Sequence, residues 1–172
     1  KYIDILERSL YNGALAGISL GGDRFFYVNP LESKGDHHRQ EWYGCACCPS
    51  QLSRFLPSIG NYIYASSDDA LWVNLYIGNT GQIRIGETDI LLTQETDYPW
   101  DGSVKLTIST SQPLEKEIRL RIPNWCKTYD LSINGKRINV SEKKGYAVIK
   151  DWKSQDVIAL DMDMPVEIVA AD

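Results

Sequence analysis

Apolar and polar positions alternate along this chain with two different periods, and the change falls about one third of the way in. In residues 2–17, Ile3, Leu6, Leu10 and Ala14 recur at helical spacing, which predicts an N-terminal helix. Ile18–Leu20 and Arg24–Val28 then flank Gly21-Gly22-Asp23, the composition of a hairpin turn. Residues 31–41 are polar and read as a loop. A second helix is expected over Pro49–Tyr62. Pro49 suits its first turn, where no hydrogen bond is lost, and Pro57 predicts a kink or an early end.

Beyond Ser66 the period drops towards two. Ala70–Ile77, Gln82–Ile85, Ile90–Glu95, Val104–Ser109, Ile118–Ile122, Leu131–Ile133, Arg137–Val140, Tyr146–Lys150 and Val157–Met162 are candidate strands. Turn chemistry separates them, most clearly at Asn134-Gly135-Lys136. Many short strands at this spacing predict an antiparallel β-sandwich or barrel. The chain is therefore expected to be mainly β, with a helical and hairpin region at 1–66 and a β domain at 67–172. No Gly/Ser-rich linker separates the two.

Composition narrows the function classes. The chain has 172 residues and a net charge of −5, which argues against broad binding to nucleic acid or anionic membrane. No apolar run approaches the roughly 20 residues of a membrane span, and no signal-peptide pattern is present. Together with a start at Lys1 inside a helical pattern, this reads as part of a longer protein, with the compartment open between cytoplasm and periplasm.

Candidate chemistry concentrates in Cys45-Ala46-Cys47-Cys48-Pro49, which leads into the second helix. A helix N-terminus favours anions, and the thiolate is both the nucleophilic and the metal-binding form of cysteine. Adjacent cysteines have Cα atoms about 3.8 Å apart, too close for an unstrained disulfide, so free thiols are expected. Clustered cysteines also suit a structural zinc module. Cys126 reads as a buried thiol. His37 and His38, in the polar loop, read mainly as solvated, as do Glu32 and Glu41, the carboxylates nearest the cysteines in sequence. Trp72, Trp100, Trp125 and Trp152 admit a sugar-binding reading, but aromatics in alternating strands more often fill a core.

Several segments carry a specific likeness. Tyr11-Asn12-Gly13-Ala14-Leu15-Ala16-Gly17, Phe26-Tyr27-Val28-Asn29-Pro30-Leu31-Glu32 and Trp42-Tyr43-Gly44-Cys45-Ala46-Cys47-Cys48-Pro49-Ser50 resemble glycoside hydrolase family 127, the β-L-arabinofuranosidase family. Leu71-Trp72-Val73-Asn74-Leu75-Tyr76-Ile77 and Arg121-Ile122-Pro123-Asn124-Trp125 are similar to the family's β-sandwich portion. The resemblance implies that residues 1–66 are the C-terminal end of an (α/α)6 catalytic barrel. It implies zinc as cofactor, Cys47 as nucleophile of a retaining hydrolysis, and Cys47 and Cys48 as zinc ligands. The family's remaining ligands and its glutamate acid/base have no match here, so no acid/base is assigned within the chain. Tyr27 and Asn29, at the hairpin exit, are candidate contacts to a furanose ring. The implied partner is an arabinose-containing oligosaccharide or glycoconjugate, and self-association into a homo-oligomer is a further expectation. A different class of reading is a non-catalytic β-sandwich accessory module that binds glycans or packs against a catalytic barrel.

Overall fold

The computed structural model describes residues 2–45, 47–112, 115–168 and 170. The chain divides into two compact units, Lys1–Asn61 and Tyr62–Asp172.

The first unit opens with helix α1 (Tyr2–Arg8), as the apolar spacing requires. The same run then widens into a π-helix at Ser9–Ala14 and tightens into a 3₁₀ turn at Leu15–Gly17. The predicted helix over 2–17 is thus helical throughout but α only in its first half. A hairpin-like excursion follows. Gly22, at φ +74°, turns the chain, and Ser19 and Arg24 pair through their backbones. In place of two full strands there are single bridges, Ile18 to Phe25 and Phe25 to Gln40. The loop at 31–41 is thereby tied back to the hairpin rather than left free. Its closure is reinforced around the Phe26 ring: His37 stacks on it at 4.9 Å and the Arg39 guanidinium lies 4.4 Å from its centroid. His37 Nε2 is also 2.8 Å from the Val28 carbonyl, so this histidine is structural rather than simply solvated.

Helix α2 (Cys47–Ser58) begins at the cysteine pair, two residues before Pro49. Pro49 still falls in the first turn, where backbone N–H groups have no intrahelical acceptor. Pro57 is the penultimate residue, and the helix stops one residue later, before the short α3 (Gly60–Ile63).

The second unit is a β-sandwich. One sheet runs β1-β2-β6-β10-β9 and the other β3-β4-β5-β11-β7-β8. The strands are β1 (Tyr64–Ser66), β2 (Ala70–Val73), β3 (Asn79–Ile85), β4 (Thr88–Thr96), β5 (Ser103–Thr110), β6 (Glu117–Arg121), β7 (Tyr129–Ile133), β8 (Lys136–Arg137), β9 (Ser141–Glu142), β10 (Tyr146–Ile149) and β11 (Val157–Met162). Alternating inward residues from both sheets form a single core. Leu71, Val73, Ile118, Leu120, Ala147 and Ile149 on one side meet Ile85, Ile90, Leu92, Leu106, Ile158 and Leu160 on the other. One pair departs from the antiparallel expectation: β2 and β6 run parallel, with Leu71 opposite Ile118 and Val73 opposite Leu120.

The strand expected over Ala70–Ile77 ends at Val73 because side chains take over its backbone. Arg121 Nε donates to the Asn74 carbonyl at 2.6 Å, and Gln94 Nε2 donates to the carbonyls of Leu75 (3.3 Å) and Ile77 (2.8 Å). Tyr146 donates to Asn74 Oδ1 at 2.7 Å, and the buried Tyr76 hydroxyl donates to the Arg121 carbonyl. The segment stays buried off the ladder because these side chains take its carbonyls, while the Asn74 and Leu75 N–H groups donate to the Ile63 carbonyl at 2.8 and 3.3 Å.

Candidate active site

All four cysteines are free. Three of them lie together at the start of α2 as a chain of sulfur contacts. Cys45 Sγ donates to Cys47 Sγ at 3.5 Å, and Cys47 Sγ lies 3.8 Å from Cys48 Sγ. Cys47 Sγ donates to the Tyr27 hydroxyl at 3.6 Å, and Cys48 Sγ donates to the Tyr27 carbonyl at 4.0 Å. The hairpin therefore delivers Tyr27 onto both thiols across 20 residues of sequence, a meeting that linear spacing alone does not encode.

Local structure fixes each partner. The Tyr27 ring packs on Tyr43 at 5.6 Å, and Tyr43 packs on Phe25 at 5.3 Å. Phe25 is held by two backbone hydrogen bonds to Gln40, each 3.0 Å. Ser50 Oγ donates to the Cys47 carbonyl at 2.9 Å within the first turn of α2.

A cleft of about 320 Å³ opens beside the sulfurs, lined by Gly13, Ala14, Gly17, Phe26, Asn29, Cys47, Cys48, Gln51 and Leu52. Its lining is mostly apolar, and a Cβ built on Gly13 or Gly17 would meet nothing within 4 Å. The small residues thus hold the space open. Sequence reading singles out the Tyr11–Gly17 segment for its family likeness but gives Gly13, Ala14 and Gly17 no part in a site. The available signal was the small-residue spacing Gly13, Ala14 and Gly17 in a run otherwise read as one amphipathic helix.

The two adjacent thiols are driven apart electrostatically. The Cys47 thiol is held below the usual cysteine range, first by the Tyr27 hydroxyl and then by the Cys45 and Cys48 side chains. The Cys48 thiol is pushed up, first by burial and then by its hydrogen bond and charge repulsion with Cys47. Tyr27 is itself pushed up to about 12, chiefly by hydrogen bonding to Cys47. The expectation from sequence placed the activation of the thiol in the helix N-terminus; the structure adds the Tyr27 hydroxyl, which leads the side-chain influences that lower it.

The other candidates divide. Asn29 lines the cleft. Glu41 is engaged by Arg24 at 2.8 Å. Trp152 is buried with its indole N–H on the Lys116 carbonyl, and Trp72 lies under the Arg119 guanidinium at 4.7 Å. Trp125 stacks with Tyr98 at 6.3 Å, while Trp100 is 91% exposed. The indoles of Trp72 and Trp152 are thus structural.

For a metal, the donors at hand are the thiols. Two sulfurs on one tetrahedral zinc, each bonded at about 2.3 Å, lie about 3.8 Å apart. The Cys47–Cys48 separation fits that edge. No group of three or more His, Cys, Asp and Glu side chains arranged to hold a metal is found among the described residues. The pair therefore fits as two donors of a larger set.

Residues 70–164 match the family model for the GH127 β-L-arabinofuranosidase middle domain, and residues 1–61 match that for the GH127 β-L-arabinofuranosidase catalytic domain. The chain is 37% identical over 191 aligned positions to a non-reducing end β-L-arabinofuranosidase of Bifidobacterium longum subsp. longum, covering 100% of this chain and 28% of that relative. It superposes on the crystal structure of a GH127 β-L-arabinofuranosidase from Geobacillus stearothermophilus T6 with a TM-score of 0.89 and 44% identity, covering 99% of this chain and 29% of the other. A further solved GH127 β-arabinofuranosidase gives a TM-score of 0.87 at 41% identity, over 95% of this chain and 28% of that one. The chain thus spans under a third of the length of these relatives.

Proposed function

Because this chain belongs to the GH127 β-L-arabinofuranosidase family, we propose that it is the nucleophile-bearing part of a retaining glycoside hydrolase that removes β-L-arabinofuranosyl residues. In this reading residues 1–66 complete the catalytic (α/α)6 barrel and the β-sandwich supports it. The observation that carries the reading is the exposed Cys47 thiol, held below its ordinary range by Tyr27 beside an open cleft.

Cys47 is the nucleophile. A sulfur lone pair attacks the anomeric carbon, and the bond to the leaving oxygen breaks with its electron pair going to that oxygen. A carboxylic acid from outside this chain protonates it. Asn29 and the small-residue wall of the cleft receive the furanose ring, and Tyr27 flanks it. The apolar lining keeps water from the thiol while the sugar is bound. Cys47 and Cys48 would hold zinc together with donors from elsewhere in the protein. When bound, zinc would keep the thiolate deprotonated near neutral pH. The substrate is an arabinose-containing oligosaccharide or glycoconjugate.

The test uses the whole protein and an aryl β-L-arabinofuranoside. Proton NMR of the first-formed product is expected to show the β anomer. Cys47→Ser is expected to lower turnover by about 10⁴-fold or more, on the scale of lost nucleophiles, with the melting temperature unchanged. Release of the inverted anomer, or full activity in the serine variant, refutes the assignment.

A further inference from the structure

The tyrosine that touches the reactive sulfur is placed too firmly to be a passive wall. Its ring is clamped through Tyr43 and Phe25, its carbonyl accepts from Cys48, and its hydroxyl meets Cys47. The hydroxyl sits 3.6 Å from Sγ although the residue is 40% exposed, so the aromatic ladder sets its position rather than burial.

In the thiol form the sulfur carries the hydrogen and donates to Tyr27. Once the sulfur is a thiolate it has no hydrogen to give, and the polarity of the contact reverses. The phenol O–H then donates to sulfur, alongside the weaker S–H donor of Cys45 at 3.5 Å. A donor aimed at an atom that gains negative charge during a step lowers the barrier to that step.

We infer that Tyr27 is a catalytic residue whose hydroxyl donates to the Cys47 sulfur and assists its departure from the sugar in the second half of the reaction. This rests on the nucleophile reading above. In that half-reaction a water oxygen forms a bond to the anomeric carbon. The carbon–sulfur bond breaks, and its electron pair returns to Cys47. One water proton passes to a carboxylate base from outside this chain. Negative charge grows on Sγ, 3.6 Å from the Tyr27 hydroxyl, which can turn its hydrogen to it. In the first half-reaction the charge moves the other way: sulfur begins as a thiolate stabilised by Tyr27 and ends neutral. The hydroxyl therefore works against attack and in favour of release. Its removal should act unequally on the two halves, which separates this role from simple contact with the sugar.

The experiment compares the whole wild-type protein with Tyr27→Phe, which keeps the ring on Tyr43. The substrate is an aryl β-L-arabinofuranoside with a good leaving group. Rapid acid quench followed by intact-mass analysis reads the covalent arabinosyl adduct. The expected result is a drop in kcat of about 10-fold or more, the scale of one lost donor to a developing anion. kcat/KM does not fall and rises by up to about 3-fold, because it reports the first half-reaction alone, which the hydroxyl opposes. The adduct, a trace in the wild type, accumulates on Cys47. Replacing Tyr27 with 3-fluorotyrosine at a mildly acidic pH strengthens the donor and is expected to shorten the adduct's lifetime, an effect no packing role produces. Unchanged kcat, or kcat and kcat/KM falling together without adduct, overturns the inference. Cys47→Ala run in parallel tells the two proposals apart. If that variant still turns over, the nucleophile reading fails and this one with it. If it is dead and Tyr27→Phe builds no adduct, only the role of Tyr27 fails.

Discussion

Cys47 and Cys48 are neighbours in sequence with opposite chemical environments. Tyr27 and Cys45 favour the charged form of Cys47, whereas burial disfavours that of Cys48. Lowering a thiol's pKa raises its thiolate fraction at a given pH below that value. Iodoacetamide at neutral pH is therefore expected to label Cys47 ahead of Cys48, with the onset for Cys47 at lower pH; peptide mapping across a pH series reads this directly. Equal labelling would remove the electrostatic basis of the site. The cysteine pair itself was legible in the sequence, because vicinal thiols ahead of a helix are an uncommon pattern. Its partner was legible only as a candidate sugar contact. Tyr27 reaches the sulfur through a fold-back that no local spacing specifies. A second residue-scale case lies in the sandwich. A Cβ on Gly102 would fall 2.1 Å from the Met162 carbonyl oxygen, a backbone atom with no easy retreat. Gly102→Ala is expected to cost about 1–3 kcal/mol, the range for overpacking, visible as a lower denaturant midpoint.

Turn chemistry is realised even where the flanking strand is shorter than the pattern predicts: the strand expected over Arg137–Val140 is the two-residue β8 (Lys136–Arg137). Asn134 and Gly135, at φ +52° and +77°, form the tight connection between β7 and β8 that an Asn-Gly pair favours. The parallel β2–β6 pairing was not legible, since a period of two says which face is buried and nothing about the direction of a neighbour. The short β1 and β9 also escaped notice, being too brief for a period to register. The most consequential difference is the π-helix at Ser9–Ala14. Apolar spacing identifies a helical face but does not distinguish 3.6 residues per turn from a wider coil, and π segments recur at functional sites. Here the widened turn presents Gly13 and Ala14 to the cleft. Gly13 has a negative φ and open space where a Cβ would sit. Gly13→Ala should therefore stabilise the chain by about 0.4–1 kcal/mol through the unfolded state. It should also narrow the cleft, so the whole enzyme is expected to show a higher KM for its arabinoside. A higher melting temperature with unchanged KM would mean that this wall does not meet the sugar.

At the scale of the molecule, burial is divided very unequally between the two units. Among the described residues, Leu10 and Ile59 are the buried hydrophobics of Lys1–Asn61, while most of those of Tyr62–Asp172 form the continuous core between two sheets. Apolar area removed from water is the main favourable term in folding, at roughly 25 cal/mol per Å². A unit with few buried side chains has little to set against the conformational entropy of ordering its chain. The first unit instead leaves large apolar side chains open to solvent, including Tyr2, Ile5, Leu20, Leu31 and Trp42. Residues 62–172, expressed alone, are accordingly expected to fold and to unfold in one cooperative transition, as single domains below 150 residues usually do. Residues 1–61 alone are expected to show no such transition by circular dichroism. Truncating a sandwich residue such as Leu120, which is fully buried, to Ala should cost about 2–5 kcal/mol in the intact chain. That loss should appear at the same size in the isolated sandwich, because the core that surrounds Leu120 lies within that unit. A much smaller loss in the isolated sandwich would mean that its core needs the helical unit to form. The stability of the unit that bears the site and that of the sandwich would then be coupled.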